Sequence, residues 1–286
     1  AYRDLGDYRK AIDYYEKALA IVEEIGDKQG KGIWLGNLGI AYKNLGDYRK
    51  AIDYYEKALA IFEEIGDKKD KGSVLGSLGN VYGDLGDYRK AIDYYEKALA
   101  IAEEIGDKQG KGSVLGNLGI AYGQLGDYRK AIAYLEKGLA IAEEIGDKGG
   151  KENRLGNLGN AYRDLGDYRK AIDYYEKALA ICKEIGVPYD ISEGNLADAY
   201  LALDRDDEAF AIYTKHNNPI KLGRYYLKKK DFKEAAKQFD RNREEDEKRK
   251  IAGVIISEWM GLGISYEEMK EYETAYKWYK KAIDFL

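Results

Sequence analysis

The heptapeptide Gly6-Asp7-Tyr8-Arg9-Lys10-Ala11-Ile12 returns at Gly46, Gly86, Gly126 and Gly166, so residues 1–186 keep a 40-residue period without a slip. A fixed period of this size marks a stacked repeat protein. Each unit is too small to bury its own apolar face, so neighbouring units must bury it.

Each unit reads as two helices. The second is marked by Tyr48, Ala51, Ile52, Tyr55, Ala58, Leu59, Phe62 and Ile65, an apolar stripe at spacings of three and one. Asp47 stands before it as an N-cap and Gly66 after it as a left-handed C-cap. The first helix runs through Val74, Leu75, Leu78, Val81, Tyr82 and Leu85. Asp67 is placed to cap it, and Gly86-Asp87 stops it and restarts the chain in two residues. The chain holds 33 glycines, but they recur at fixed places, and two prolines in 286 residues favour long helices. Glycines inside the first helix, such as Gly76 and Gly79, each cost about 1 kcal/mol against alanine. The expected cause is a helix–helix approach too close for a side chain.

Composition narrows the function. With 47 basic and 52 acidic residues the net charge is −5, so no basic excess draws in nucleic acid or an anionic membrane. No apolar run approaches the roughly 18 residues of a membrane span, and no signal peptide is visible. Cys182 is the only cysteine, which fits a reducing, cytoplasmic setting. The chain opens in mid-repeat at Ala1-Tyr2-Arg3-Asp4-Leu5-Gly6, as a fragment would.

The pattern Leu35-x2-Leu38-Gly39-x2-Tyr42, then Gly46-x-Tyr48-x2-Ala51-x3-Tyr55-x2-Ala58, resembles the tetratricopeptide repeat. Leucine stands where that family often has tryptophan. The unit exceeds the usual length of about 34 residues. Its Leu-Gly-Asn-Leu-Gly-Asn string at Leu155 to Asn160 is similar to the Leu-Gly-Asn repeat-enriched adaptors and to bacterial arrays. Residues 187–286 lose the period but keep the alphabet. Leu196-Ala197-x2-Tyr200 with Tyr213, Leu222-Gly223-x2-Tyr226 with Phe239, and Trp259-x2-Leu262-Gly263-x2-Tyr266 with Tyr279 outline three degenerate units. The step from 197 to 223 is short, and Pro219 is expected to end a short second helix at a sharp joint. The resemblance implies an all-α, right-handed superhelical solenoid of eight units, the first truncated, in which residues 187–286 continue the solenoid of 1–186.

The motifs that suggest catalysis dissolve on inspection. Gly106-Asp107-Lys108-Gln109-Gly110-Lys111-Gly112-Ser113 lacks the spacing and the preceding strand of a phosphate loop. His216, the only histidine, has no second histidine or cysteine to hold zinc and reads as a joint residue. Cys182 replaces the small residues Ala102 and Ala142 and has no histidine to activate it. The pairs Glu63-Glu64, Glu103-Glu104 and Glu143-Glu144 read as solvated helix ends. The charge run Glu244 to Lys250 reads as an exposed helix. Tyr48, Tyr55, Tyr88, Tyr95 and Tyr175 are expected in the core. Tyr14, Tyr54, Tyr94, Tyr134 and Tyr174 are expected partly exposed, as outer-side residues or a secondary binding stripe. The expectation is no enzyme, no metal and no cofactor.

In the family, first helices line a concave groove that binds extended or helical peptides. The resemblance carries this role to Asn37, Asn80, Asn117, Asn157, Asn160, Arg163 and Asn195, and at the joint to Lys221 and Arg224. Asparagine offers both donors and an acceptor, which suits a peptide backbone. Alternatively, the asparagines bond neighbouring repeats and order the stack. Gly36, Gly76, Gly116 and Gly156 stand where carboxylate-clamping members carry lysine, which argues against capture of a chain terminus. Lys221 and Arg224 suggest a preference for acidic residues at one end of a peptide. The competing reading is a duplicated or designed array with no dedicated ligand, serving as a spacer. The truncated first unit suggests end-to-end self-association through Tyr8, Ile12 and Tyr15.

Overall fold

The computed structural model describes residues 7–188, 190–241, 243, 246–247 and 252–285. Fifteen α-helices, and no strand, lie among them. They are α1 (Tyr8–Glu24), α2 (Lys28–Asn44), α3 (Tyr48–Ile65), α4 (Lys68–Asp84), α5 (Tyr88–Ile105), α6 (Lys108–Gln124), α7 (Tyr128–Glu144), α8 (Lys148–Asp164) and α9 (Tyr168–Ile185). The shorter set is α10 (Asp190–Ala202), α11 (Asp206–Lys215), α12 (Pro219–Lys228), α13 (Phe232–Asp240), α14 (Ala252–Glu268) and α15 (Tyr272–Phe285). The chain forms two compact units, residues 1–167 with 180–186 and residues 168–179 with 187–286.

Two residues make each helix junction of the first unit. Gly66 adopts φ 74°, and the Asp67 N–H donates to the Phe62 carbonyl at 2.9 Å, closing α3. The Asp67 carboxylate then accepts from the Asp70 N–H at 2.9 Å and opens α4. Gly86-Asp87 and Gly126-Asp127 repeat the device between α4 and α5 and between α6 and α7. The segment resembling a phosphate loop is one of these junctions. Asp107 caps the Gly110 N–H, and Lys108 and Lys111 are ion-paired with Glu144 and Glu103.

Within the first unit each helix packs on the next. In addition α2 touches α4, α4 touches α6 and α6 touches α8, so the first helices form one continuous row. Leu38, Leu78, Leu118 and Leu158 are fully buried in that row, each worth roughly 1.5–3 kcal/mol of transfer free energy. A Cβ added at Gly79 would lie 2.5 Å from the Tyr95 ring, and one at Gly39 would lie 2.7 Å from Tyr55. At Gly76 it would meet nothing within 4 Å, and the same holds at Gly36 and Gly156. Close approach therefore explains Gly79 but not Gly76, which corrects the single cause expected for both.

Surface pairs reinforce the stack. The expected solvated pairs are engaged. Glu64 reaches Lys28 of its own repeat at 2.6 Å, and Glu63 reaches Lys71 of the next at 3.0 Å. The arrangement recurs at Glu103-Glu104 and Glu143. These pairs are about half exposed, so each contributes little. Tyr54, Tyr94 and Tyr134 stack on Tyr42, Tyr82 and Tyr122 at 5.3 Å, which makes them packing residues of their own repeats. Tyr14 stays 54% exposed. In the truncated first repeat, Ile12 is buried against Leu38 and Ala41, and Tyr15 tilts over Trp34 at 5.6 Å. Ile12 and Tyr15 thus pack against α2 of the same chain.

In the second unit α10 packs on α11, α11 on α12, α12 on α13, and α14 on α12, α13 and α15. Phe239 fills the space left by Gly223 and Gly261, at 2.7 and 2.6 Å from their would-be Cβ atoms. Pro219 does not end a helix. It is the first residue of α12, where its missing N–H costs nothing, behind the N-cap Asn218. Helix α11 closes before it at Asn217, with φ 50°. His216 bonds the buried Glu193, as does Lys215 at 2.7 Å, so the histidine is part of this joint. Of the charge run, residues 244, 245 and 248–250 lie outside the described residues. Its Glu247 is no solvated side chain: it accepts from Trp259 Nε1 at 2.8 Å and from Lys281 at 3.0 Å.

Candidate functional site

The row of first helices in the first unit carries the predicted asparagines, each half-buried. Asn80 and Asn117 are brought together. The Asn80 Oδ1 accepts from the Tyr95 hydroxyl at 2.8 Å and from Asn117 Nδ2 at 3.1 Å. Burial pushes the Tyr95 hydroxyl up to about 12, so it stays a proton donor well into the alkaline range. One side chain thus ties two helices of its own repeat to the first helix of the next. The second unit repeats this with charge. Asp198 accepts from the Tyr213 hydroxyl at 2.6 Å and pairs with Lys221. Burial and the Asp198 carboxylate drive Tyr213 upward.

The pairing explains why Asn80 and Asp198 stand where other first helices carry Ile40 and Ile120. Residue 15 positions after Asn80 is Tyr95, and after Asp198 it is Tyr213, but after Ile120 it is Leu135. Where no hydroxyl is presented, no acceptor stands opposite. Tyr55, behind Ile40, breaks the rule. Burial raises it to about 12, against the opposing pull of the Ser77 hydroxyl of the next repeat. The signal was in the sequence, as a matched change at two positions 15 apart.

The other predicted positions fall differently. Asn157 is half-buried on α8 and donates to Asn153 of its own helix at 3.0 Å. Asn37 lies on α2 beside the open Gly36. Asn160 is half-buried on α8, and Arg163 bonds its neighbour Asp164 at 2.8 Å. In the second unit Asn195 and Lys221 line one cavity of about 410 Å³ with Tyr213 and His216. The Lys221 charge is met by Asp198, and Arg224 is exposed. Cys182 is buried at the Ala102 position, and burial pushes its thiol up, away from the reactive thiolate.

Two hollows flank the Asn80–Asn117 bridge. One, of about 190 Å³, lies among α4, α5 and α6, with Ser77 and Ser113 beside an apolar floor of Ala98, Ile101 and Ala102. The other, of about 320 Å³, includes Lys43, Asp84 and Gln124, with Lys43 and Asp84 ion-paired at 3.1 Å. Such a surface offers amide and hydroxyl groups beside open glycine backbone. It can hold a ligand by hydrogen bonds and shape. No group of three or more metal-binding side chains occurs among the described residues, and no helix there is long and apolar enough to cross a membrane.

The tetratricopeptide repeat profile matches residues 1–64, 70–144 and 151–216, and a second profile of the same repeat matches 259–285. No curated protein matches the chain in sequence. Among solved structures, BtubC of P. vanneervenii is 23% identical over 73% of this chain and 89% of its own, with a TM-score of 0.66. The apo form of the quorum sensor NprR from B. thuringiensis is 16% identical over 97% of this chain and 83% of its own, with a TM-score of 0.73. A Rap protein complexed with Competence and Sporulation Factor is 18% identical over 93% and 78%, with a TM-score of 0.58. At these identities the likeness is one of fold. With the repeat profile covering well over half of its residues, the chain belongs to the tetratricopeptide repeat family.

Proposed function

We propose that the chain is a protein-interaction module that holds an extended peptide segment along the inner row of first helices, and that it performs no chemistry of its own. One observation carries this reading. Gly36, Gly76 and Gly156 face open space, so packing does not require them, yet each forgoes about 1 kcal/mol of helix stability. Glycine there leaves the backbone and the adjacent amides open to a chain laid across them. The fold supports the reading in general, since a Rap protein of similar structure is known in complex with Competence and Sporulation Factor.

A spacer array is the second reading, and the Asn80–Asn117 bond favours it, because that bond orders the stack without any ligand. The two separate by experiment. Nine-residue peptides from a randomised library are scored by fluorescence anisotropy on the native chain and on Gly76→Leu and Asn117→Ala. Gly76→Leu fills open space, so helicity by circular dichroism is expected to hold while binding weakens at least tenfold. Absence of any bound peptide, or binding untouched by both variants, would establish the spacer.

A further inference from the structure

The first unit repeats one groove between successive first helices, and two substitutions make the copies unequal. Between α2 and α4 the floor is Phe62, where α5 and α7 have Ala102 and Ala142. The Phe62 ring is 2% exposed and lies 2.7 Å from the would-be Cβ of Gly32, so it fills that groove from below. Between α6 and α8 the floor is small, but Arg154 stands where α4 and α6 carry Val74 and Val114. Its guanidinium donates to the Gly112 carbonyl at 2.9 Å and to the Gly150 carbonyl at 3.2 Å, and it lies 3.1 Å from the would-be Cβ of Gly116. That groove is filled from its wall. Between α4 and α6 the residues are Ala102 and Val114, and a hollow of about 190 Å³ remains.

We propose that this hollow is the anchor pocket of the groove and takes one uncharged apolar side chain, of leucine to phenylalanine size, from an extended peptide; the proposal rests on the peptide-groove reading above. The volume exceeds the cavity of about 150 Å³ that accepts benzene. The floor of Ala98, Ile101 and Ala102 offers only apolar atoms, and the two charged groups at the margin, Lys69 and Asp107, are of opposite sign. The rim specifies a peptide and not a free apolar molecule. Asn80 Oδ1 and one Asn117 N–H are spent on each other and on Tyr95. The bridge therefore still presents the Asn80 amide N–H groups and the Asn117 Oδ1, a donor and an acceptor side by side, which match the C=O and N–H of a peptide backbone. Phe62 and Arg154 set the register: of the three grooves between α2 and α8, they leave one with room for the anchor.

The test copies the plugs. Ala102→Phe places a phenyl ring over Gly72, the counterpart of the Gly32 that accepts Phe62, and Val114→Arg copies Arg154. The probes are nine-residue Gly/Ser/Asn peptides with a central leucine, phenylalanine, alanine or lysine, read by fluorescence anisotropy, with circular dichroism melts to confirm folding. In the native chain the leucine and phenylalanine peptides are expected to bind on the order of tenfold tighter than the alanine one, with lysine weakest. Both plug variants should erase that preference. Arg154→Val should add a second apolar-preferring position one repeat away. Equal binding of leucine and alanine peptides, with Asn117→Ala still weakening both, would overturn the anchor pocket and leave the groove standing. Binding insensitive to Asn117→Ala and Gly76→Leu, or no binding, would overturn the groove and the pocket with it.

Discussion

The two glycine classes make the sharpest stability prediction. Gly76 and Gly79 lie three residues apart on α4 and look equivalent in the repeat. An alanine methyl at 76 meets nothing within 4 Å, so Gly76→Ala should gain close to the full helix-propensity difference of about 1 kcal/mol. At 79 the methyl would lie 2.5 Å from the Tyr95 ring, against a comfortable carbon–carbon separation of about 3.5–4.0 Å. That ring is 5% exposed and tethered by its bond to Asn80, so it yields poorly. Overpacking costs about 1–3 kcal/mol, against the propensity gain of about 1 kcal/mol. Gly79→Ala should end roughly neutral to 2 kcal/mol destabilised, leaving the two variants about 1–3 kcal/mol apart. Urea midpoints by circular dichroism give the order, and amide exchange within α4 reads the local effect where the array departs from two-state unfolding. Equal midpoints for the two variants, or a Gly76→Ala chain weaker than the parent, would refute the assignment of Gly76 to open space.

Further outcomes follow from the same contacts. Leu135→Tyr alone buries a hydroxyl opposite Ile120 and should lose about 1–3 kcal/mol. Adding Ile120→Asn should recover about 1 kcal/mol in a double-mutant cycle on urea midpoints, and strict additivity would count against the Tyr–Asn pairing. Lys230 and Lys270 hold left-handed conformations, φ 59° and 63°, where the first unit uses glycine. Lys230→Gly and Lys270→Gly should each raise stability by about 1 kcal/mol in thermal melts, and a lower melting temperature would contradict this. Glu258 is fully buried, and burial with the nearby Asp246 carboxylate pushes it up to about 7 from 4.5. The folded state then holds the proton more tightly than the unfolded one, so stability is full below about pH 4.5 and falls as pH rises toward 7. The loss is roughly 3 kcal/mol; Glu258→Gln should flatten the slope of urea midpoint against pH, and an unchanged slope would assign it to other groups.

Much of the architecture was legible because its causes are local. The Gly-Asp dipeptide closes one helix through a left-handed glycine and opens the next through its own carboxylate, so Tyr48–Ile65 could be bounded from the sequence. Pro219 was misplaced because a proline both stops helices and starts them, and only the backbone shows that Asn218 caps a new one. Asn37, Asn117 and Asn157 share one register, Asn80 and Asn160 another three residues on, and all share one expected family role, but their bonds differ. Asn80 meets a tyrosine 15 residues on and an asparagine 37 residues on, whereas Asn157 turns to its own helix.

The sequence by itself determined the period and the family, which repetition displays, and the helix ends and the apolar stripe, which depend on residues within a turn or two of one another. The tertiary structure decided which glycines serve packing, which asparagines pair and which of three equivalent grooves stays open. Those outcomes depend on side chains that approach from other helices. Tyr95 closes over Gly79, Phe62 rises beneath Gly32, and Arg154 reaches the carbonyl of Gly112 across 42 residues. In a chain built from near-copies, contacts of that range are where one copy becomes different from the next.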